Sequence, residues 1–160
     1  MSDESAPPHL LAFLEEHGVD HEIVAPGVPM PTVPAAAAAI GVGVEQILKT
    51  LLFDDRAGGF VVAIACGTGR VDRSRLAAAS GSGRLRVADA PDVLRVTGYP
   101  AGGVAPLALP HHLPVIVDSA VMVLPVAWGG AGREEILLRV VPADIVRLNN
   151  ATVAEIVAPA

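Results

Sequence analysis

The sequence predicts an α+β fold, a mixed, curved, barrel-like sheet flanked by helices, in a single domain spanning residues 1–160. Three observations lead there. Apolar runs of strand length are interleaved with short helix-like segments, and mixed helices and paired strands in this order suggest one α+β domain. Ile47 to Phe53 and Phe60 to Ala65 flank the polar, glycine-bearing turn Asp54 to Gly59 and read as a hairpin. Finally, 52% of the 160 residues are hydrophobic but only 3% are aromatic, so the core is built from Val, Leu, Ile and Ala, in a chain long enough to bury one.

Each element has its own signal. Pro7-Pro8 opens a helix whose stripe is Leu10, Leu11, Leu14 and His17, and Gly18 stops it. His21 to Val24 alternates as a short strand, and the proline-rich stretch Ala25 to Pro31 is a loop. Thr32 caps a second helix, with Ala35 to Ile40 as its body and Gly41 and Gly43 at its end. After the hairpin, Asp72 caps a helix through Ala79, Leu85 to Val87 is a short strand, and Asp89 caps a helix carrying Val93, Leu94 and Val96. Leu113 to Val117 is a strand ending at Asp118. Val121 to Val126 continues as apolar chain into a glycine turn at Gly129-Gly130. Ile136 to Val141 is a strand, Pro142 to Leu148 a helix, and Val153 to Val157 a last short helix or strand.

Charge and composition narrow the function. A net charge of −6 argues against a general nucleic-acid coat protein, and no DNA partner is expected, so any polyanion contact is local. Arg70, Arg73, Arg75, Arg84 and Arg86 cluster within a short stretch, which by itself reads more simply as a solvated helix face. Mean hydropathy is +0.53, yet prolines and glycines break every long apolar run, so no membrane span is expected. The acidic start Met1 to Ser5 is unlike a secretory signal and points to the cytoplasm. The single cysteine, Cys66, excludes an intrachain disulfide and a multi-cysteine metal site. It reads as a buried, inert thiol. His111-His112 reads as loop rather than metal site, so neither metal nor cofactor is expected.

Two features carry chemistry. Gly98 to Leu107 holds three glycines and two prolines and no charge, a rigid loop able to aim backbone N–H groups at a carbonyl or phosphate oxygen, or else an ordinary connection. Lys49, the only lysine, lies inside the apolar run Ile47 to Phe53. A lysine on a strand buried on both faces needs a partner and can hold a phosphate or carboxylate, whereas one on an edge strand can extend to water. Asp118, at a strand end, either orients a water or amine or caps the next turn.

These pieces, in their order and spacing, resemble the YbaK/prolyl-tRNA-synthetase-associated domain family, over nearly the whole chain. Leu48-Lys49-Thr50-Leu51-Leu52 is similar to its lysine strand, and Arg70-Val71-Asp72 to its helix start. Thr97-Gly98-Tyr99 with Gly102-Gly103-Val104-Ala105-Pro106 is similar to its glycine loop. Leu113 to Asp118 and Gly129-Gly130 are similar to the strand and glycine turn that the family carries after that loop. The resemblance implies an aminoacyl-tRNA deacylase that edits in trans, hydrolysing the ester of a wrongly charged tRNA, with a catalytically weak tRNA- or nucleotide-binding module as the alternative. It implies that Lys49 holds the terminal adenosine or its phosphate and that amides around Gly102 and Gly103 stabilise the oxyanion. Met30, Thr32, Val104, Pro106, Asp118, Gly129 and Gly130 would line the substrate site, and Arg70, Arg73 and Arg75 would touch the tRNA. The partner is the aminoacyl-tRNA 3′ end, with an aminoacyl-tRNA synthetase as a further one. The chain departs from the family at Pro106-Leu107-Ala108, where Pro-x-Gly is common. It also lacks the tyrosine and aspartate that cysteine-clearing members carry near Pro26 and Leu137, which shifts the expected substrate toward alanine or a broad small-residue range, with Ala, Ser and Cys as the class.

Overall fold

The structure, a computed structural model, describes residues 6–159. Five helices and eight strands follow one another: α1 (Pro8–Glu16), β1 (Glu22–Val24), α2 (Val33–Ile40), β2 (Leu48–Asp54), β3 (Phe60–Cys66), α3 (Arg73–Ser80), β4 (Arg86–Val87), α4 (Ala90–Thr97), β5 (Val115–Asp118), β6 (Ala127–Gly130), β7 (Leu137–Val140), α5 (Pro142–Asn149) and β8 (Thr152–Ala154). The caps read from the sequence are formed. Thr32 Oγ1 accepts from the Ala35 amide, Asp72 from Ser74 and Arg75, and Asp89 from Asp92. Each satisfies amides that the first helical turn leaves without partners.

The strands form two sheets. One runs β1-β7-β6 and is antiparallel; the other runs β4-β2-β3-β5-β8, with β2 antiparallel to β3, and β3-β5 and β5-β8 parallel. An α+β fold with mixed pairing is therefore present, but the barrel-like closure is not. The two sheets join through a bridge between Ile47 and Trp128 instead. The main core lies between them and takes Leu10, Leu14, Leu52, Val62, Ile64, Tyr99, Leu107, Leu138 and Ile145. Fully burying such a side chain contributes about 1.5–3 kcal/mol. A second cluster, with Phe53, Val61, Ala63, Leu76 and Ile116, fills the opposite face of the larger sheet under α3.

Several local expectations need correction. His17 is exposed, its ring 4.2 Å from that of Phe13, because α1 has already turned its buried stripe to Leu10 and Leu14. Leu94 is 55% exposed while Val93 is buried, so the apolar face of α4 is narrower than expected. Val121 to Val126 begins with a 3-10 turn over Ser119–Val123. Gly129 and Gly130 are not a turn: they end β6, paired with Leu138 and Leu137. A Cβ on Gly129 would lie 3.1 Å from Pro106 Cδ, and one on Gly130 2.5 Å from Val104 O, so the bare strand is what admits the 102–106 loop. The segment after Ala151 resolves to a strand, β8, because β5 offers it a free parallel edge.

At Ala108, where the related loop commonly has glycine, φ is 57°. The loop thus keeps a left-handed residue there at a cost of about 1–2 kcal/mol for the Cβ. Glycine would relieve that cost, partly offset by its greater freedom in the unfolded chain. Ala108→Gly is expected to raise Tm by about 2 °C in a thermal melt, taking a net gain of about 0.5–1 kcal/mol. An unchanged or lower Tm would show that Ala108 is unstrained.

Candidate active site

The edge of β2, the start of α2, the loop at Gly102 to Val104 and the chain leading into β7 enclose a pocket of about 190 Å³. It owes its existence to a short strand. Leu52 O accepts from the Ala88 amide, so peptide groups of the even-numbered residues of β2 point away from β3. Yet β4 pairs only with Phe53 and Asp54. A bridge from Ile47 to Trp128 of β6 holds the start of the same edge, so Thr50 lies between the two pairings, in the wall of the pocket. Thr50 Oγ1, in the pocket wall, is buried without a partner among the described residues.

Lys49 stands at the same edge. The strand is not buried on both faces here: Lys49, Thr50 and Leu51 are half-buried, whereas Leu52 to Asp54 are buried. The Lys49 ammonium donates to the Gly69 carbonyl, which lies outside the pocket's lining, and the side chain borders both the pocket and an adjoining groove. Burial lowers its pKa below the ordinary lysine value and the nearby Arg70 lowers it further, while Cys66 opposes the shift. Cys66 is half-buried rather than buried as expected; burial, and then the Asp118 carboxylate, push its thiol up.

The loop opposite is braced by Tyr99. Its ring is fully buried and its hydroxyl donates to Leu107 O at 2.8 Å, spanning the base of the loop. Burial pushes its pKa well above the ordinary tyrosine value, so it stays a donor. Thr97 Oγ1 accepts from the Tyr99 amide at 3.1 Å and fixes the turn from α4. Gly102 is exposed with φ 85°, a conformation that suits glycine. Gly103 does not serve as expected: its N–H donates to Pro100 O at 2.9 Å, and its carbonyl accepts from the Gly132 amide at 2.8 Å. Among the described residues, the amides of Gly102 and Val104 have no backbone acceptor.

Of the residues singled out from sequence, Lys49, Met30, Thr32, Gly102, Val104 and Gly130 converge on this pocket. Pro106 and Gly129 do not line it; they pack on one another behind the loop. Asp118 is elsewhere and structural. It is buried and accepts from the amides of Ala120, Ile156 and Val157, tying the end of β5 to the chain after β8. Arg70 and Arg73 share an adjoining groove with Lys49, while Arg75 is paired with Glu155 at 3.3 Å. Val28 stays 48% exposed, so the proline-rich segment contributes to the pocket only from Met30 onward. Thr50, Arg133 and Glu134 line the pocket without having been foreseen. Arg133 and Glu134 lie in a charged stretch that reads as surface, and no local pattern aims them at a loop thirty residues earlier.

The model of the aminoacyl-tRNA editing domain matches residues 28–148, three quarters of the chain and all of the pocket. The chain belongs to this family. Among curated relatives of the editing domain is a candidate Cys-tRNA(Pro)/Cys-tRNA(Cys) deacylase of Enterococcus faecalis, 28% identical over 122 residues, covering 76% of this chain and 74% of that protein. Two solved structures superpose closely. A hypothetical protein, APE2540, is 33% identical with a TM-score of 0.86, covering 94% of this chain and 99% of the other. A candidate trans-editing enzyme for prolyl tRNA synthetase is 28% identical with a TM-score of 0.85, covering 97% and 100%. The resemblance read from the sequence is thus the family itself; one of these relatives is named for deacylation and another for trans-editing. No helix among the described residues is long and apolar enough to cross a membrane.

Proposed function

We propose that this editing domain is a cytoplasmic deacylase that hydrolyses, in trans, the ester of tRNA mischarged with a small uncharged amino acid, on prolyl tRNA. The observation that carries the reading is the convergence of Lys49, the free amides of Gly102 and Val104, and a small apolar wall on one pocket. A volume of about 190 Å³ lies below the usual range for drug-sized ligands, about 300–1,000 Å³, and suits a small acyl group. Met30, Val33, Ala36, Ile47 and Leu137 supply the apolar wall.

In this reading Lys49 holds the 3′-terminal phosphate or ribose, and the two amides receive the carbonyl oxygen of the ester. Water attacks the acyl carbon, the negative charge develops on that oxygen, and the bond to the ribose oxygen breaks. The proton that the attacking water gives up passes to the ribose oxygen as the free amino acid leaves. An ester is already activated, so positioning and a stabilised oxyanion supply most of what is required. Glu134, whose Cγ lies 3.5 Å from where a Gly102 Cβ would stand, is placed to receive the α-ammonium of the amino acid. The missing Pro-x-Gly glycine slightly favours the binding-module alternative, but Ala108 keeps a left-handed φ of 57° at that position, which supports an intact loop and the deacylase reading.

Presenting prolyl tRNA charged with Ala, Ser, Cys, Asp or Lys in parallel tests the reading. The three small residues should be released fastest and with overlap, because one methylene in an apolar pocket is worth only about 1–3 kcal/mol. Faster release of Asp or Lys would overturn the pocket argument. No release from any of them would leave a binding module.

A further inference from the structure

Among the described residues, the arginines form ion pairs in a telling pattern. Arg75, Arg86, Arg95, Arg133, Arg139 and Arg147 each have a carboxylate within 4 Å. Arg56, Arg70, Arg73, Arg84 and Lys49 have none, and they are neighbours. One groove, of about 300 Å³, is lined by Lys49, Arg70 and Arg73; a second, of about 620 Å³, by Arg56, Arg73 and Arg84. Arg73, at the start of α3, borders both, and all four arginines are exposed. In a chain of net charge −6 these arginines make a local positive patch, which concentrates and steers a polyanion.

The carboxylates of this region are engaged mostly by backbone amides, and Asp54 also by the Arg86 side chain. Asp55 accepts from Ala57 and Gly59, Asp72 from Ser74 and Arg75, and Asp54 from the Arg56 amide and Arg86. Arg56, with φ 65°, sits at the tip of the β2–β3 turn.

We infer that Arg70, Arg73, Arg56 and Arg84 form a track for consecutive RNA phosphates, running from Lys49 at the pocket across α3 to the tip of the β2–β3 hairpin. The inference rests on the deacylase reading for its direction: the 3′ end enters the pocket, and the strand leading to it lies along the arginines. A row of planar guanidinium forks suits successive phosphates better than one small anion. Arg75, held by Glu155, is outside the track.

The test is the triple variant Arg56→Ala, Arg73→Ala, Arg84→Ala in the full chain, with Arg95→Ala, Arg147→Ala as a control for lost charge elsewhere. Binding of uncharged prolyl tRNA is followed by fluorescence anisotropy across a salt series. Hydrolysis is compared on aminoacyl-tRNA and on the same amino acid esterified to a 3′-CCA trinucleotide, with thermal melts to confirm folding. The triple variant should bind tRNA at least tenfold more weakly, and its log K against log salt slope should flatten by about 2, at roughly 0.7–0.9 per lost phosphate contact. KM for aminoacyl-tRNA should rise with kcat unchanged, and the trinucleotide ester should be hydrolysed as before. Unchanged affinity and slope, or an equal loss in the control, would overturn the track. Equal losses on the trinucleotide would overturn it too, by placing the arginines at the pocket. If no aminoacyl-tRNA is hydrolysed but the slope flattens as described, the track stands and the deacylase reading fails. The reverse pattern leaves the deacylase and removes the track.

Discussion

Replacing Lys49 with alanine is expected to cut kcat/KM for deacylation by about 10- to 150-fold while the protein stays folded. A hydrogen bond to a charged group is worth about 1.5–3 kcal/mol, and each 1.36 kcal/mol is tenfold in rate. The side chain is only half-buried, and its hydrogen-bond partner is the Gly69 carbonyl, so little of the core depends on it. Lys49→Arg should fail as well, since a planar fork does not replace a compact ammonium bonded to the Gly69 carbonyl. The pH profile adds a check. Activity that requires the ammonium falls as pH rises through the folded pKa of Lys49, which burial and Arg70 place below the ordinary 10.5. Stability moves the other way. Between the lowered folded pKa and the unfolded value the unfolded chain binds more protons, so this group's contribution to stability rises with pH across that window. An alkaline loss of rate at unchanged or higher stability would therefore report Lys49 and not unfolding. Full activity in a folded Lys49→Ala protein would remove the residue from the mechanism.

The second large effect is expected at Gly130. A Cβ there would stand 2.5 Å from Val104 O, 3.0 Å from Val104 C and 3.1 Å from Gly103 C, all backbone, so the loop must move rather than a side chain rotate. That loop carries the Gly102 and Val104 amides, and losing one oxyanion donor typically costs about 100–1,000-fold in rate. Gly130→Ala should thus lower kcat by at least about 100-fold, while affinity for uncharged tRNA stays close to wild type. Gly102→Ala is the instructive comparison. Its Cβ meets nothing nearer than Glu134 Cγ at 3.5 Å, so its cost comes from φ 85°, about 1–2 kcal/mol of stability. Gly102→Val carries the same strain with more bulk at the pocket mouth and should lose more activity than Gly102→Ala. A Gly130→Ala enzyme within twofold of wild type would show that the loop does not set the rate.

Local chemistry made much of this protein legible from its sequence. Thr32, Asp72 and Asp89 start helices because their side chains accept amide hydrogens two or three residues on, and that needs no tertiary partner. The hairpin of β2 and β3 follows from two apolar runs and a polar turn between them, and the family was readable because its lysine strand and glycine loop are contiguous motifs. The tertiary structure decided what depends on residues distant in the chain. Gly129 and Gly130 look like a turn by composition, yet they are strand because the 102–106 loop needs a bare surface to pack on. Asp118 could have served a substrate or a turn, and the amides of Ile156 and Val157, almost forty residues later, took its carboxylate. Gly103 lost its role as a donor to Pro100, and Glu134 gained a place at the pocket, through contacts that no local pattern encodes. The arginines between Arg70 and Arg86 were visible as a cluster, but only folding added Arg56 and separated the paired from the unpaired, because ion pairing is set by which carboxylate the fold brings within reach.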